Sequence, residues 1–286
     1  LDMMNLHLHK VISDLSGATG MAIIEAILGG ERDPKKLARY RNSRIRCSEE
    51  EIALSLEGNY HDTHLFELRQ ALDLYKIYHQ KIAECDKRLE ASLQNYKKKV
   101  DTAVPKTHKK QRSRDNAPKF NVQQYLYQIY GVDLTQIDGV SYQTVLTIFS
   151  EVGTDFSKFK NEKHFASWAG LSPNKKISGG KVISSKTQKS RNKVAIALRM
   201  AASTLLNTQC ALGSYYRSAR FRLGPAKAKT ATARKLACLI FRMVTRGQEY
   251  IDIGSEKYEQ KINERQLKNL EKRAKKLGYQ LTEIAA

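Results

Sequence analysis

The tetrapeptide Ser178-Gly179-Gly180-Lys181 brings together a hydroxyl nucleophile, two backbone amides without side chains and a cation. Such a serine can be presented on a tight exposed turn, where glycine N–H groups approach a phosphate and a lysine neutralises it. The chemistry that would follow is attack of the Ser178 hydroxyl on a phosphodiester. The spacing is not that of a Walker loop, because the earlier glycine is missing. Taken alone, a Ser-Gly-Gly turn is more often only a turn, so a purely conformational role stays open.

The surroundings of this turn are basic in an unusual way. From Lys163 to Gln248 the chain runs 86 residues without one Asp or Glu, and 18 of those residues are Lys or Arg. A solvated face normally mixes signs, and a surface that does not mix them points to a polyanion. Arg191 and Arg199, then Arg217, Arg220 and Arg222, then Lys227, Lys229, Arg234 and Lys235 come in helical sets with Tyr215, Tyr216 and Phe221 interleaved. That mixture suits phosphate clamping with stacking. A further phosphate contact is outlined by Ile137-Asp138-Gly139-Val140, an apolar residue, a variable one, glycine and an apolar residue ahead of a helix, as in a helix-hairpin-helix. An ordinary helical turn also favours Asp-Gly. The candidate DNA-binding set is therefore Gly139, Gly179, Gly180, Lys181, Arg191, Arg199, Arg217, Arg220, Lys227, Arg234 and Lys235, with Ser178 as the candidate catalytic residue.

Other chemistries find less support. His7-x-His9 has no carboxylate or thiolate partner at ligand spacing, and His61-Asp62-Thr63-His64 reads as the polar start of a helix. No metal site and no carboxylate cluster suited to Mg²⁺ is expected. Cys47, Cys85, Cys210 and Cys238 show no close pairing, which implies reduced thiols and a cytoplasmic setting rather than a disulfide framework. Basicity also serves membrane binding, but that needs an apolar span or a basic amphipathic helix with bulky exposed apolar residues, and the sequence has neither. Leu1 to Lys10 lack the order of a secretory signal.

Charge divides the chain. Residues 1–100 carry 16 Lys/Arg against 15 Asp/Glu, a net of +1, and residues 101–286 carry 34 against 14, a net of +20. The pattern predicts a mainly α protein: a helical module at 1–96, a basic flexible linker at 97–121, and a helical DNA-binding domain at 122–286 with a small hairpin around Ser178. In the first module a helix through about Asp14 is followed by one carrying Ile23, Ile24 and Ile27 and stopped at Gly29-Gly30. Pro34 suits a first helical turn, and Ser48-Glu49-Glu50-Glu51 is a capping-box signature. From Leu65 to Tyr96 an a/d seam runs through Leu68, Leu72, Tyr75, His79, Ile82, Asp86, Leu89 and Leu93, the pattern of a coiled coil that suits self-association or an antiparallel hairpin, with a helix packed inside its own domain as the alternative. In the second domain two helices flank Ile137 to Val140, a hairpin or loop fits Asn174 to Lys186, and helices are expected over Asn192–Thr208, Thr230–Arg246 and Tyr258–Leu277.

Several motifs together carry a resemblance. They are Phe165-Ala166-Ser167-Trp168-x-Gly170-Leu171-x-Pro173, Ser178-Gly179-Gly180-Lys181, Ala197-Leu198-Arg199-x-Ala201-Ala202, Ala211-Leu212-Gly213-x-Tyr215-Tyr216-Arg217 and Ala231-Thr232-Ala233-Arg234-Lys235-Leu236-Ala237. They resemble the C-terminal domain of bacterial insertion-sequence transposases of the "IS-one-ten" and "IS-eleven-eleven" types. Met4 to Gly17 and Gly30 to Pro34 resemble the segment that follows the catalytic core of the N-terminal domain in the same proteins. The resemblance implies a recombinase acting on double-stranded DNA, in which a serine attacks a DNA phosphate to give a covalent serine–DNA intermediate. It also implies a structured guide RNA, a homo-oligomer, a bacterial and nucleoid-associated setting, and Mg²⁺ bound by four acidic residues of a RuvC-like domain. Carried onto this chain, the serine is Ser178. The acidic core that the resemblance places ahead of Leu1 is not in this sequence, so a fragment or truncated copy is expected, with a non-enzymatic nucleic-acid-binding scaffold as the alternative.

Overall fold

The computed structural model describes residues 1–105, 117–174, 176–187 and 191–282. The fold is mainly α, with a two-stranded hairpin as the sheet among the described residues. Two compact units divide the chain, Leu1–Cys85 and Asp86–Ala286.

The first unit packs α1 (Leu8–Val11), α2 (Ala18–Leu28), α3 (Pro34–Ala38), α4 (Glu49–Ser55) and the front of α5 (Asp62–Gln94). Its core is Met4, Leu6, Leu8, Ile23, Ile27, Leu37, Ile52 and Leu56, with Leu65 and Leu68 of α5 against it. The start signals operate as read. Pro34 stands at the first turn of α3 behind an Asp33 cap, and Ser48 with Glu51 forms a reciprocal capping box on α4. The helix expected through Asp14 is only partly there. Asp2–Met4 is a 3₁₀ turn ended by Asn5 with φ of 58°, and α1 spans four residues, because the left-handed Asn5 breaks the run before it can propagate.

Helix α5 covers the expected seam as far as Leu93, leaving Tyr96 past its end, and the unit boundary falls inside it. Of the ten seam positions only Leu72 and Leu93 are buried, while Phe66, Leu74, Ile77, Tyr78 and Ile82 are exposed. Residues 106–116 of the expected linker lie outside the described residues. On their N-terminal side the chain is held to α6 (Val122–Tyr130): Lys99 N donates to Gln128 O at 2.8 Å and Val104 N to Gln124 Oε1 at 2.9 Å.

The second unit is built round α11 (Pro225–Arg246), which lies against α8 (Glu162–Trp168), α9 (Lys193–Thr204) and α10 (Ala211–Leu223). Ala228, Thr232, Ala233, Leu236, Ala237, Ile240 and Val244 form its buried face, and the alanines let the neighbouring backbones come close. Helices α6 and α7 (Tyr142–Val152) add Leu126, Ile129, Val145 and Ile148 to the same core. Phe156, Phe159, Phe165 and Phe241 cluster with ring centroids 5.1 to 6.4 Å apart. Helix α12 (Ser255–Lys276) packs on α10 and buries no residue fully. No described helix is long and apolar enough to cross a membrane. Helix α10 itself was not among the elements predicted from the pattern. Its buried face is Leu212, Gly213, Tyr216 and Ala219, too small and mixed to register as an apolar stripe.

Leu236 is fully buried at the centre of α11. Leu236→Ala is expected to lower unfolding free energy by about 2–5 kcal/mol, and Ser48→Ala by about 1 kcal/mol, both read by urea denaturation.

Candidate nucleic-acid interface around Ser178

The hairpin is placed where the glycines predict it. Strands β1 (Lys176–Ser178) and β2 (Lys181–Ser184) pair antiparallel, with Ser178 opposite Lys181 across the two-residue turn. Gly179 and Gly180 have φ of 54° and 73°, the left-handed values at both central positions that a type I′ turn requires. A side chain would meet no atom within 4 Å at either glycine, so the turn is open to solvent and glycine is there for its backbone conformation rather than for space. Directly opposed residues of an antiparallel pair share a face with Cβ atoms about 5 Å apart, which puts the Lys181 ammonium within reach of whatever the Ser178 hydroxyl meets. Ser178 and Lys181 are exposed, and Ile177 at 61% and Ile183 at 71% leave the hairpin without an apolar cover among the described residues. The base of the hairpin is tied by Asn174 N to Lys186 O at 3.0 Å and by a Pro173–Thr187 bridge.

The structure sorts the predicted cations into distinct situations. Arg217 is committed inside the fold: Nη1 donates to Thr208 O at 2.9 Å and to Leu206 O at 3.1 Å, and Nη2 to Ser214 Oγ at 3.0 Å. It closes the turn between the 3₁₀ segment Leu205–Asn207 and α10. Arg199 on α9 reaches Gly170 O at 3.5 Å. Arg191, Arg220 and Lys227 are exposed. Arg234 and Lys235 are half-buried on α11, where Lys235 Nζ stands 4.2 Å from the Tyr215 ring centroid. Phe221, beside Arg220 and Arg222 near the end of α10, is 94% exposed.

Gly139 sits at the turn between α6 and α7 with φ of 80°. A Cβ there would lie 2.7 Å from Ala201 O and 3.0 Å from Thr204 Oγ1, so close packing on α9 already demands glycine.

Sequence reading missed a group that the fold assembles from three segments. Ligand atoms of Asp138, Cys210 and Asp252 lie within 4.8 Å of one another. Cys210 Sγ accepts from Gly213 N at 3.2 Å and Asp252 Oδ1 from Ala211 N at 3.1 Å, so two of the three cap the N-terminus of α10. Burial, with Asp138 and Asp252 nearby, pushes the Cys210 thiol up. Mg²⁺ demands oxygen ligands in octahedral array, and a protonated thiol between two carboxylates does not offer it. The group does not fit Mg²⁺, and no other cluster among the described residues offers three ligands. Only contacts between residues 138, 210 and 252 could reveal this set, and no local spacing encodes them.

Arg217→Ala is expected to cost about 1–3 kcal/mol, because it removes the donor to two part-buried carbonyls, whereas Arg220→Ala stays within about 0.5 kcal/mol. Urea denaturation of the two variants checks the difference.

Comparison with known proteins places a family on this geometry. Residues 133–217 match the family described as Transposase IS116/IS110/IS902 family, a stretch that runs from the turn before Gly139 through the hairpin and α9 to Arg217. No curated protein matches the chain.

Proposed function

We propose, from the match of residues 133–217 to the Transposase IS116/IS110/IS902 family, that the chain acts in DNA transposition, cutting and rejoining DNA through Ser178 as nucleophile. The observation that carries the reading is the exposed type I′ hairpin, which falls inside the matched segment and sets Ser178 opposite Lys181.

In this account the Ser178 oxygen attacks the scissile phosphorus. A P–O bond to deoxyribose breaks, the sugar oxygen leaves and takes up a proton, and the serine hydroxyl proton passes to a base. A phosphodiester to Ser178 conserves the bond energy, and attack by the hydroxyl of a second DNA end reverses the step and joins the strands. Lys181 and the open amides of Gly179 and Gly180 stabilise the charge that develops on the phosphoryl oxygens. A serine hydroxyl is a weak nucleophile and needs activation. The described residues supply the clamp, and no step is assigned to a metal within them.

Exposed Arg191, Arg220 and Lys227 serve as positioning contacts to the phosphates of double-stranded DNA. The family's guide RNA and Mg²⁺ belong to the same proposal as partners of the reaction. Homo-oligomer formation is assigned to α5, whose Leu74, Ile77, Tyr78 and Ile82 are exposed along a helix of 33 residues. A specific alternative remains tied to the same hairpin, since its turn is complete without any role for the hydroxyl: the chain would then be a nucleic-acid-binding scaffold.

Ser178→Ala separates the two. In a strand-joining assay of the intact element protein, the variant is expected to lose joining by about 10³-fold or more while DNA affinity changes less than about two-fold. Joining at the wild-type rate would leave Ser178 as a turn residue.

A further inference from the structure

A cleft of about 560 Å³ opens between α10, α11 and α12, away from the hairpin sequence and outside most of the family match. That volume lies within the roughly 300–1,000 Å³ of sites that take small ligands. Arg234 and Lys235 of α11 and Lys261 and Arg265 of α12 line it. Two nearby carboxylates have partners outside it: Glu259 accepts from Ser214 Oγ at 2.9 Å, and Glu162 pairs with Arg242 at 3.0 Å.

Two further observations point to an anionic occupant. Arg234 lines the cleft, and its Nε is shielded from solvent with no hydrogen-bond partner among the described residues. Lys235 Nζ is caged between two rings, 4.2 Å from Tyr215 and 5.0 Å from Tyr258. Burial, with Arg242 and Arg265 adding repulsion, holds its pKa below the ordinary lysine value.

The cleft is not only cationic. Ile253, Tyr258 and Ile262 give it an apolar wall beside the charges. A phosphate alone would have no use for that wall, and a duplex keeps its bases stacked inside. An unpaired base offers a flat apolar face and an attached phosphodiester at once.

We propose that this cleft holds one unpaired nucleotide of a single-stranded polynucleotide, its phosphodiester among Arg234, Lys235, Lys261 and Arg265 and its base against Ile253, Tyr258 and Ile262. The assignment rests on the nucleic-acid reading above and adds to it the strandedness of the ligand. A displaced DNA strand and an RNA strand share this chemistry, so the test carries both.

The test uses fluorescence anisotropy of the full chain with a fluorescein-labelled DNA dodecamer, the RNA of the same sequence, and the corresponding DNA duplex. Lys261 and Arg265 are exposed, so the double variant Lys261→Ala/Arg265→Ala keeps the fold, which circular dichroism verifies. It is expected to weaken single-strand binding by about tenfold or more and to reduce the salt slope by about 1.4, since each phosphate contact on a single strand contributes roughly 0.7. Tyr258→Leu is expected to weaken single-strand binding about five- to tenfold with an unchanged slope. Duplex affinity stays within about two-fold in both. The oligomer that binds more tightly, DNA or RNA, identifies the strand. Equal losses on duplex and single strand, no loss on either single strand, or displacement by an acidic dodecapeptide as effective as by unlabelled oligonucleotide would overturn the proposal. Wild-type chain that binds no nucleic acid at all would overturn the broader reading as well, whereas wild-type binding with silent cleft variants overturns this proposal alone.

Discussion

One face of α11 has to stay dry for the C-terminal unit to exist. Ala228, Ala233, Leu236, Ala237 and Ile240 have no exposed surface, and α8, α9 and α10 all lean on them. The remaining faces of the same helix carry Lys227, Lys229, Arg234, Lys235, Arg242 and Arg246, with Glu162 of α8 the carboxylate paired to one of them. Like charges this dense repel, and the repulsion is borne by apolar burial rather than relieved by local ion pairs. The small residues on the dry face permit close helix approach, and that approach is what gives the cations a rigid base.

Composition treats these cations alike, but the fold does not. Arg217 is consumed by backbone carbonyls, Arg242 by Glu162, and Lys193 by Glu151 at 3.0 Å. Arg191, Arg220 and Lys227 remain at the surface, and Arg234 and Lys235 stand half-buried without a carboxylate partner among the described residues. An acid-free run therefore contains both cations built into the fold and cations left at the surface. The cations left exposed are fewer than the run holds, and Lys261 and Arg265 of α12, which lie beyond it, share a cleft with Arg234 and Lys235.

Local signals were legible where the physics is local. Ser48 and Glu51 cap each other across three residues, Pro34 fixes a first turn, and Gly179-Gly180 forces a type I′ hairpin, so each could be read from neighbours in sequence. The elements that escaped depend on distant partners. Helix α10 is held by Asp252 at its N-terminus, by Arg217 against the preceding turn and by α11 along its face, and none of these shows as an apolar period. Gly139 reads as a phosphate-facing turn until α9 is seen to press on it with Ala201 O. The cluster of Asp138, Cys210 and Asp252 exists only once three distant segments meet, and the cleft that joins Arg234 to Arg265 only once α10, α11 and α12 are assembled. The Ser178 hairpin is the converse case: its turn geometry is local and legible, whereas the chemistry proposed for its hydroxyl is not encoded in that geometry.

The claim beneath both functional readings is that the acid-free surface is built for phosphates. The most direct measurement is the affinity of the full chain for a DNA duplex over a range of salt concentrations. Release of condensed counterions by several Lys and Arg contacts predicts that log K falls linearly with log salt with a slope of about −4 or steeper. Affinity that stays flat as salt is raised would contradict the account.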